Sequence, residues 1–274
     1  MLDRKLLVVT GKGGTGRSAV AASLALAAAR RGRRVLALAL DAPVGLARHL
    51  GAEVPGPIPR RHGDLHLGAV EAGAALDEYL RLRIKVPRLA AVGRLFAAVA
   101  ETVPGVRDTV LVGKAVYEST RTRWDLVVVD APPTGQIQSL ITAPTTIAGL
   151  VPGGAVREQA RWLAGLLADP THTGAVVVAT LEDLPVLEAG EFIAAASGAI
   201  HPVAIVANRV LTPVAGEPGL DGIAAEAAAH HHRLTQAQRP HLDRLAATHR
   251  LPMLFGMHTP AETAARLADH WGTP

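Results

Sequence analysis

Residues Gly11 to Ser18 read GKGGTGRS. Glycines at positions 11, 13, 14 and 16 let backbone N–H groups turn inward around an anion. The spacing fits G-x-x-x-x-G, a basic residue, then Ser or Thr. Such a loop wraps phosphates when a strand precedes it and a helix follows, because the helix adds its positive N-terminal end. Gly11, Lys12, Gly13, Gly14, Thr15, Gly16, Arg17 and Ser18 are therefore candidate phosphate contacts, and the Ser18 hydroxyl is in register to ligate Mg²⁺. Two carboxylates stand where chemistry could use them. Asp41 ends an apolar run, where a carboxylate orients an attacking water or a metal-bound water. Asp130 ends another, DLVVVD, the Walker B arrangement in which a carboxylate holds Mg²⁺. Asn208 closes a third run, where it either caps a turn or gives and accepts hydrogen bonds in one plane toward a ligand.

These residues need a frame that brings them to one edge. KLLVVT (Lys5 to Thr10), RVLALAL (Arg34 to Leu40), LHLGAVE (Leu65 to Glu71), DLVVVDAP (Asp125 to Pro132), GAVVVAT (Gly174 to Thr180), PVAIVANRV (Pro202 to Val210) and LPMLFG (Leu251 to Gly256) read as strands, most of them buried. Ser18 to Arg31, Pro185 to Ala196, Ile223 to Thr248 with a break at Pro240, and Pro260 to His270 read as helices. Residues 72–124 read as a partly amphipathic helical subregion. Continuously apolar strands alternating with helices predict an α/β fold: a doubly wound, mostly parallel sheet with helices on both faces, in one domain spanning 1–274. Ligands on such sheets sit beyond the carboxyl ends of the strands, which selects the loops after Thr10, Leu40, Val129 and Ala207.

GKGGTGRS resembles the deviant Walker A loop, KGGxGK[ST], of the ParA/MinD/ArsA superclass. APPTGQ, with Asp130, Pro133, Thr134 and Gly135 in place, resembles the switch of the ArsA/GET-type anion-transporting ATPases, which act in arsenite efflux and in tail-anchored-protein targeting. PGVRDTVLVGK (Pro104 to Lys114), LEDLPVLEA (Leu181 to Ala189) and VANRV (Val206 to Val210) resemble further stretches of that family. The resemblance implies a P-loop ATPase fold, bound Mg²⁺ and ATP or ADP, and a dimer. It implies that Lys12 reaches across the dimer to the partner's nucleotide, that Asp41 orients water, that Ser18 and Asp130 hold Mg²⁺, that Asn208 recognises adenine, and that Pro252 lies near the base. Three departures stand at the site. Arg17 replaces the usual loop lysine, Val44 stands where His is usual in the segment LDAPVGL, and Gln136 replaces the switch His. Arginine keeps the charge but is bulkier and forked. Either it has drifted in with little effect, or it marks a slow or inactive hydrolase that still binds nucleotide.

The 274 residues carry 49% hydrophobic and 3% aromatic content, enough for a large aliphatic core. The net charge is +4, and the basic residues are almost all arginine: the lysines are Lys5, Lys12, Lys85 and Lys114. With no cysteine, disulfides, thiolate zinc sites and thiolate capture of arsenite are excluded. Ala19 to Ala29 imitates an export signal, but RRGRR (Arg30 to Arg34) is a poor exit for one. No run reaches the length of a transmembrane segment, and the lack of cysteine is compatible with the cytoplasm that is expected for this chain. His230, His231 and His232 do not share a helix face, which argues against a metal cluster. The arginine groups near Arg60, Arg81 and Arg121 lack interleaved aromatics, so no nucleic acid is expected. The loop Thr212 to Gly222 is rich in Pro and Gly.

The expected function is a dimeric Mg-ATPase whose nucleotide state controls a partner, as a homodimer or as a heterodimer with a paralogous ATPase. The partner could be a hydrophobic or membrane-protein client, with Arg81 to Val112 as an apolar groove or simply as helices packed on the core. The alternative is a regulatory subunit with little hydrolysis that pairs with an active paralogue. A membrane positioner is disfavoured, because the C-terminal stretch Ala261 to Pro274 carries only Arg266 against Glu262 and Asp269.

Overall fold

The structure, a computed structural model, describes residues 1–40, 42–79, 105–213 and 221–272. Asp41, most of the Arg81 to Val112 stretch and most of the loop after Thr212 lie outside the described residues.

β1 (Leu6–Gly11) leads through the glycine loop into α1 (Arg17–Ala29). Then follow β2 (Val35–Ala39), α2 (Pro43–Leu50), β3 (Arg60–His62), β4 (Leu65–Ala69), α3 (Ala72–Tyr79) and α4 (Val106–Ser119). Next come β5 (Leu126–Asp130), α5 (Thr134–Leu150), α6 (Ala155–Ala168), β6 (Thr173–Thr180) and α7 (Asp183–Ala195). The chain continues as β7 (Pro202–Val210), α8 (Gly222–Leu245), β8 (His249–Pro252) and α9 (Pro260–Ala268).

The strands form one eight-stranded sheet in the order β3-β4-β2-β5-β1-β6-β7-β8. Every pairing is parallel except β3 with β4. This is the doubly wound arrangement expected from continuously apolar strands. β1 is central, and the chain winds outward from it in both directions.

Side chains of β1 alternate between two cores. Leu7 and Val9 face α1, α2 and α9, while Leu6 and Val8 face α4, α5 and α7. Each such fully buried leucine contributes about 2 kcal/mol of apolar burial. The run Ala19 to Ala29 that imitates an export signal is the buried face of α1: its alanines and Leu24 pack on the sheet, and Trp271 donates its indole N–H to Ser23 Oγ at 2.8 Å.

The structure corrects three details. The break expected at Pro240 is absent, because α8 runs through it to Leu245. β3, an exposed three-residue antiparallel edge, was not foreseen: RRH lacks an apolar alternation. The last strand is His249–Pro252, so residues 253–256 of the expected LPMLFG strand fall in the loop beyond it.

Candidate functional site

Parallel register sets the site before any side chain is considered. Val9 lies beside Asp130, Thr10 beside Val177, Thr180 beside Asn208, and Val210 beside Pro252. The carboxyl ends of β1, β5, β7 and β8 therefore share one edge with the glycine loop.

Within the loop, Thr15 is folded back on Lys12. Its backbone N–H and its hydroxyl both donate to the Lys12 carbonyl, at 3.3 and 2.8 Å. Gly13 and Gly14 are exposed, as an anion cradle requires. Two glycines are demanded by close approach. A Cβ at Gly11 would lie 2.1 Å from the Val178 carbonyl oxygen on β6, and one at Gly16 (φ 91°) would lie 2.4 Å from Asn208 Nδ2.

Asn208 reaches the loop because it alternates with Ala204 and Val206 onto the α1 side of β7, and the strand turns irregular just beyond it. The β7–β8 register shifts between Ala207 and Val210, and Arg209 sits in the left-handed region at φ 58°. Asn208, only 4% exposed, donates from Nδ2 to the Thr15 carbonyl at 2.8 Å. One amide donor therefore braces the glycine loop. A cleft of about 450 Å³ opens beside it, lined in part by Gly14, Arg17, Ser18, Asn208, Arg209 and Pro252. Its size suits a nucleoside.

Asp130 is 7% exposed and shares a hydrogen bond with the Ser18 hydroxyl. Burial pushes its carboxyl up to about 6, against the pull of that hydrogen bond and of the Arg17 charge. A buried carboxylate beside a hydroxyl at a strand end is a hard-oxygen donor set, which fits Mg²⁺. The start of α2 closes over this pair: a Cβ at Gly45 would lie 2.7 Å from Ser18 Oγ.

The two loop cations are both engaged. Arg17 donates from its guanidinium to the Ala131 carbonyl, just beyond Asp130. Lys12 forms an ion pair with Glu188 on α7. The other Glu188 oxygen accepts from the Thr134 hydroxyl at 3.2 Å, and Thr134 is the first residue of α5. Thr10 donates to the Pro132 carbonyl at 2.8 Å, pinning the same segment from β1. Pro133 caps α5 and Gly135 is exposed in its first turn.

Of the expected site residues, Gly11 to Ser18, Asp130, Pro133, Thr134, Gly135, Asn208 and Pro252 are thus gathered at one edge. Asp41 lies outside the described residues. Glu188 was missed as a site residue, although its stretch LEDLPVLEA was noted. Its signal would have been a carboxylate on the helix after β6, the strand that pairs directly with the glycine loop's strand.

Comparison with known proteins gives an independent reading. The family model described as "Anion-transporting ATPase" matches residues 4–152. ATPase BagA of Mycobacterium tuberculosis is 34% identical over 224 residues, covering 75% of this chain and 65% of that protein. The chain thus spans about two thirds, 65%, of that relative's length. An uncharacterized protein of Streptomyces coelicolor is 34% identical over 147 residues, covering 51% of this chain and 37% of its own length. ATPase ASNA1 homolog 1 of Paramecium tetraurelia is 25% identical over 146 residues, covering 51% of this chain and 44% of its own length. The matched family segment contains the glycine loop, Asp130 and Pro133 to Gly135, the same residues that the sheet brings together, and so the chain belongs to the anion-transporting ATPase family.

Proposed function

We propose that this chain is a Mg-ATP-dependent ATPase that works as a dimer and whose nucleotide state controls a partner or client. The observation that carries this reading is the juxtaposition of Ser18 with the buried Asp130 carboxylate at the mouth of a glycine loop. Gly11 to Arg17 bind the polyphosphate through inward-facing amides and positive charge. Ser18 and Asp130 hold Mg²⁺, which when bound neutralises phosphate charge as it develops. Asn208 and Pro252 flank the base. Asp41 orients the attacking water, a role taken from the family resemblance. Lys12 acts across the dimer, once released from Glu188, by supplying positive charge to the partner's nucleotide.

Exposed apolar residues support an interface here. Leu184 and Leu187 are 59% and 53% exposed and precede Glu188 on α7, and Val44 is 55% exposed at the start of α2. ATP binding would draw Pro133 to Gly135 toward the phosphates. Because Thr134 and Lys12 share Glu188, that movement and the release of Lys12 are coupled.

One observation favours the second reading, a regulatory subunit with little hydrolysis. The Arg17 fork is oriented by a bond to the Ala131 carbonyl, where a lysine would be a compact charge free to follow the phosphates. Phosphate release by the purified protein, beside an Arg17→Lys variant, separates the two. Robust wild-type turnover, changed little by the substitution, supports the ATPase reading. Turnover at background in the wild type, restored by lysine, supports the regulatory one.

A further inference from the structure

Three arginine groups that are distant in the sequence meet at the opposite edge of the sheet. RRGRR ends at the amino end of β2, RRH forms β3 beside the start of β4, and RTRWD leads into β5. Arg33, Arg34, Arg61 and Arg123 line one cleft of about 680 Å³ there, with Asp64 as the one acid of its lining among the described residues. This cleft faces away from the carboxyl-end site, because the strands are parallel.

The guanidinium groups are held in place. Arg34 grips Asp125 with two bonds, at 2.6 and 3.1 Å, and Arg33 donates to the Asp125 carbonyl at 2.7 Å. Arg61 donates to the Gly63 carbonyl at 3.1 Å. Arg123 donates to the buried Glu118 carboxylate at 2.9 Å and stacks over the Trp124 ring at 4.5 Å. These contacts use one or two of the five N–H groups on each guanidinium, so they orient the groups and leave donors for a ligand. The neighbouring Arg30 and Arg31 are different: they bind Asp269 and the Trp271 carbonyl and act as structural ties.

The acids nearby offset part of the positive charge, since Asp125 pairs with Arg34 and Glu118 with Arg123, while Arg33 and Arg61 are tied to backbone carbonyls instead of carboxylates. Arg34 holds the Asp125 carboxyl far below the usual carboxylate range. Glu118 is matched by Lys114 and Arg123. His66 also lines the cleft, 4.8 Å from the Trp124 ring, and reports the field. Burial lowers it first, and the charges of Arg61 and Arg123 lower it further.

We infer that this cleft is a second anion site, which binds a small multivalent phosphate through Arg33, Arg34, Arg61 and Arg123. The phosphate is carried either by a soluble compound or by a lipid headgroup. The site is separate from the glycine loop, so it stands whether or not the chain hydrolyses ATP.

The test uses the full chain and inorganic pyrophosphate, with the His66 ring followed by NMR across pH. Pyrophosphate offsets the arginine charge beside the ring, so the His66 midpoint should rise by about half a unit or more. Pyrophosphate bound only at the glycine loop, at the far edge of the sheet, would leave His66 unmoved. Arg61→Ser, whose side chain is tied only to a loop carbonyl, should weaken the effect on the order of tenfold, the weight of one charge-assisted contact. Arg123→Gln serves as the second variant. Phosphatidylcholine vesicles with and without phosphatidic acid distinguish the source. Pelleting that needs phosphatidic acid and is lost in Arg61→Ser assigns a headgroup. No pelleting, with the pyrophosphate shift intact, assigns a soluble phosphate. An unmoved His66 midpoint, or an equal shift in wild type and both variants, overturns the inference.

Discussion

Asp130 carries a conflict between folding and binding. Its carboxyl is raised above the value of an unfolded chain, so the folded state binds the proton more tightly. By linkage, stability falls as pH rises from about 4 through about 6, and the full cost of the buried charge applies above that window. Asp130→Asn removes the charge. It should raise stability at pH 7.5 by on the order of 2–3 kcal/mol in denaturant melts, and abolish Mg²⁺-dependent nucleotide binding. Under the proposed function, Mg²⁺ would compete with the proton on this carboxyl in the wild type. Its apparent affinity should fall about tenfold per pH unit below 6 and level off above it.

Glu188 makes a second prediction at the same scale. Glu188→Gln frees Lys12 and loosens Thr134, so ATP-dependent dimer formation should occur at lower protein concentration, visible by analytical ultracentrifugation. Lys12→Ala should leave nucleotide binding nearly unchanged and remove hydrolysis, the split expected of a group that acts only in the transition state. An unchanged dimerisation threshold in Glu188→Gln would sink the coupling between switch and lysine. The glycine loop and the place of Asp130 at the strand end were legible from residue type and spacing alone, because backbone geometry dictates glycine and an apolar run ending in Asp marks the carboxyl end of a buried strand. Glu188 was not, because its role depends on two partners far away in sequence and on a helix whose composition says only that it is a helix.

At the scale of elements, apolar runs announced the parallel strands, because a strand buried on both faces leaves an uninterrupted signature. β3 escaped notice because an exposed edge of Arg-Arg-His needs no apolar face. The β7 irregularity escaped for another reason: no residue in VANRV requires a bulge, and the left-handed Arg209 is visible only in the fold. The side chain just before that bulge makes a measurable contribution. Asn208→Ala removes the brace on the Thr15 carbonyl, so it should cost about 1–2 kcal/mol and weaken nucleotide binding through a looser loop. Calorimetry and melts on the same variant check both effects. Between α1 and the C-terminal stretch, Trp271→Phe keeps the buried ring contact but loses the bond to Ser23. Ser23 still donates to the Val20 carbonyl, so the expected cost is only about 1 kcal/mol in thermal unfolding.

At the scale of the whole molecule, the sheet separates two chemistries. One edge gathers the glycine loop, the buried carboxylate, Asn208 and Pro252, and the other gathers the arginine cleft. Among the described residues no helix is long and apolar enough to cross a membrane. The proposed division of labour is nucleotide binding at one edge, partner contact across the Lys12 face, and phosphate recognition at the far edge. All of it presumes that the amides of residues 11–18 enclose a polyphosphate. Titration calorimetry of well-folded protein with Mg-ATP and Mg-ADP tests that presumption most directly. The account predicts saturable binding of one nucleotide per chain in the micromolar range, on the order of −8 kcal/mol. Absence of heat with both nucleotides, from material that melts cooperatively, would contradict it.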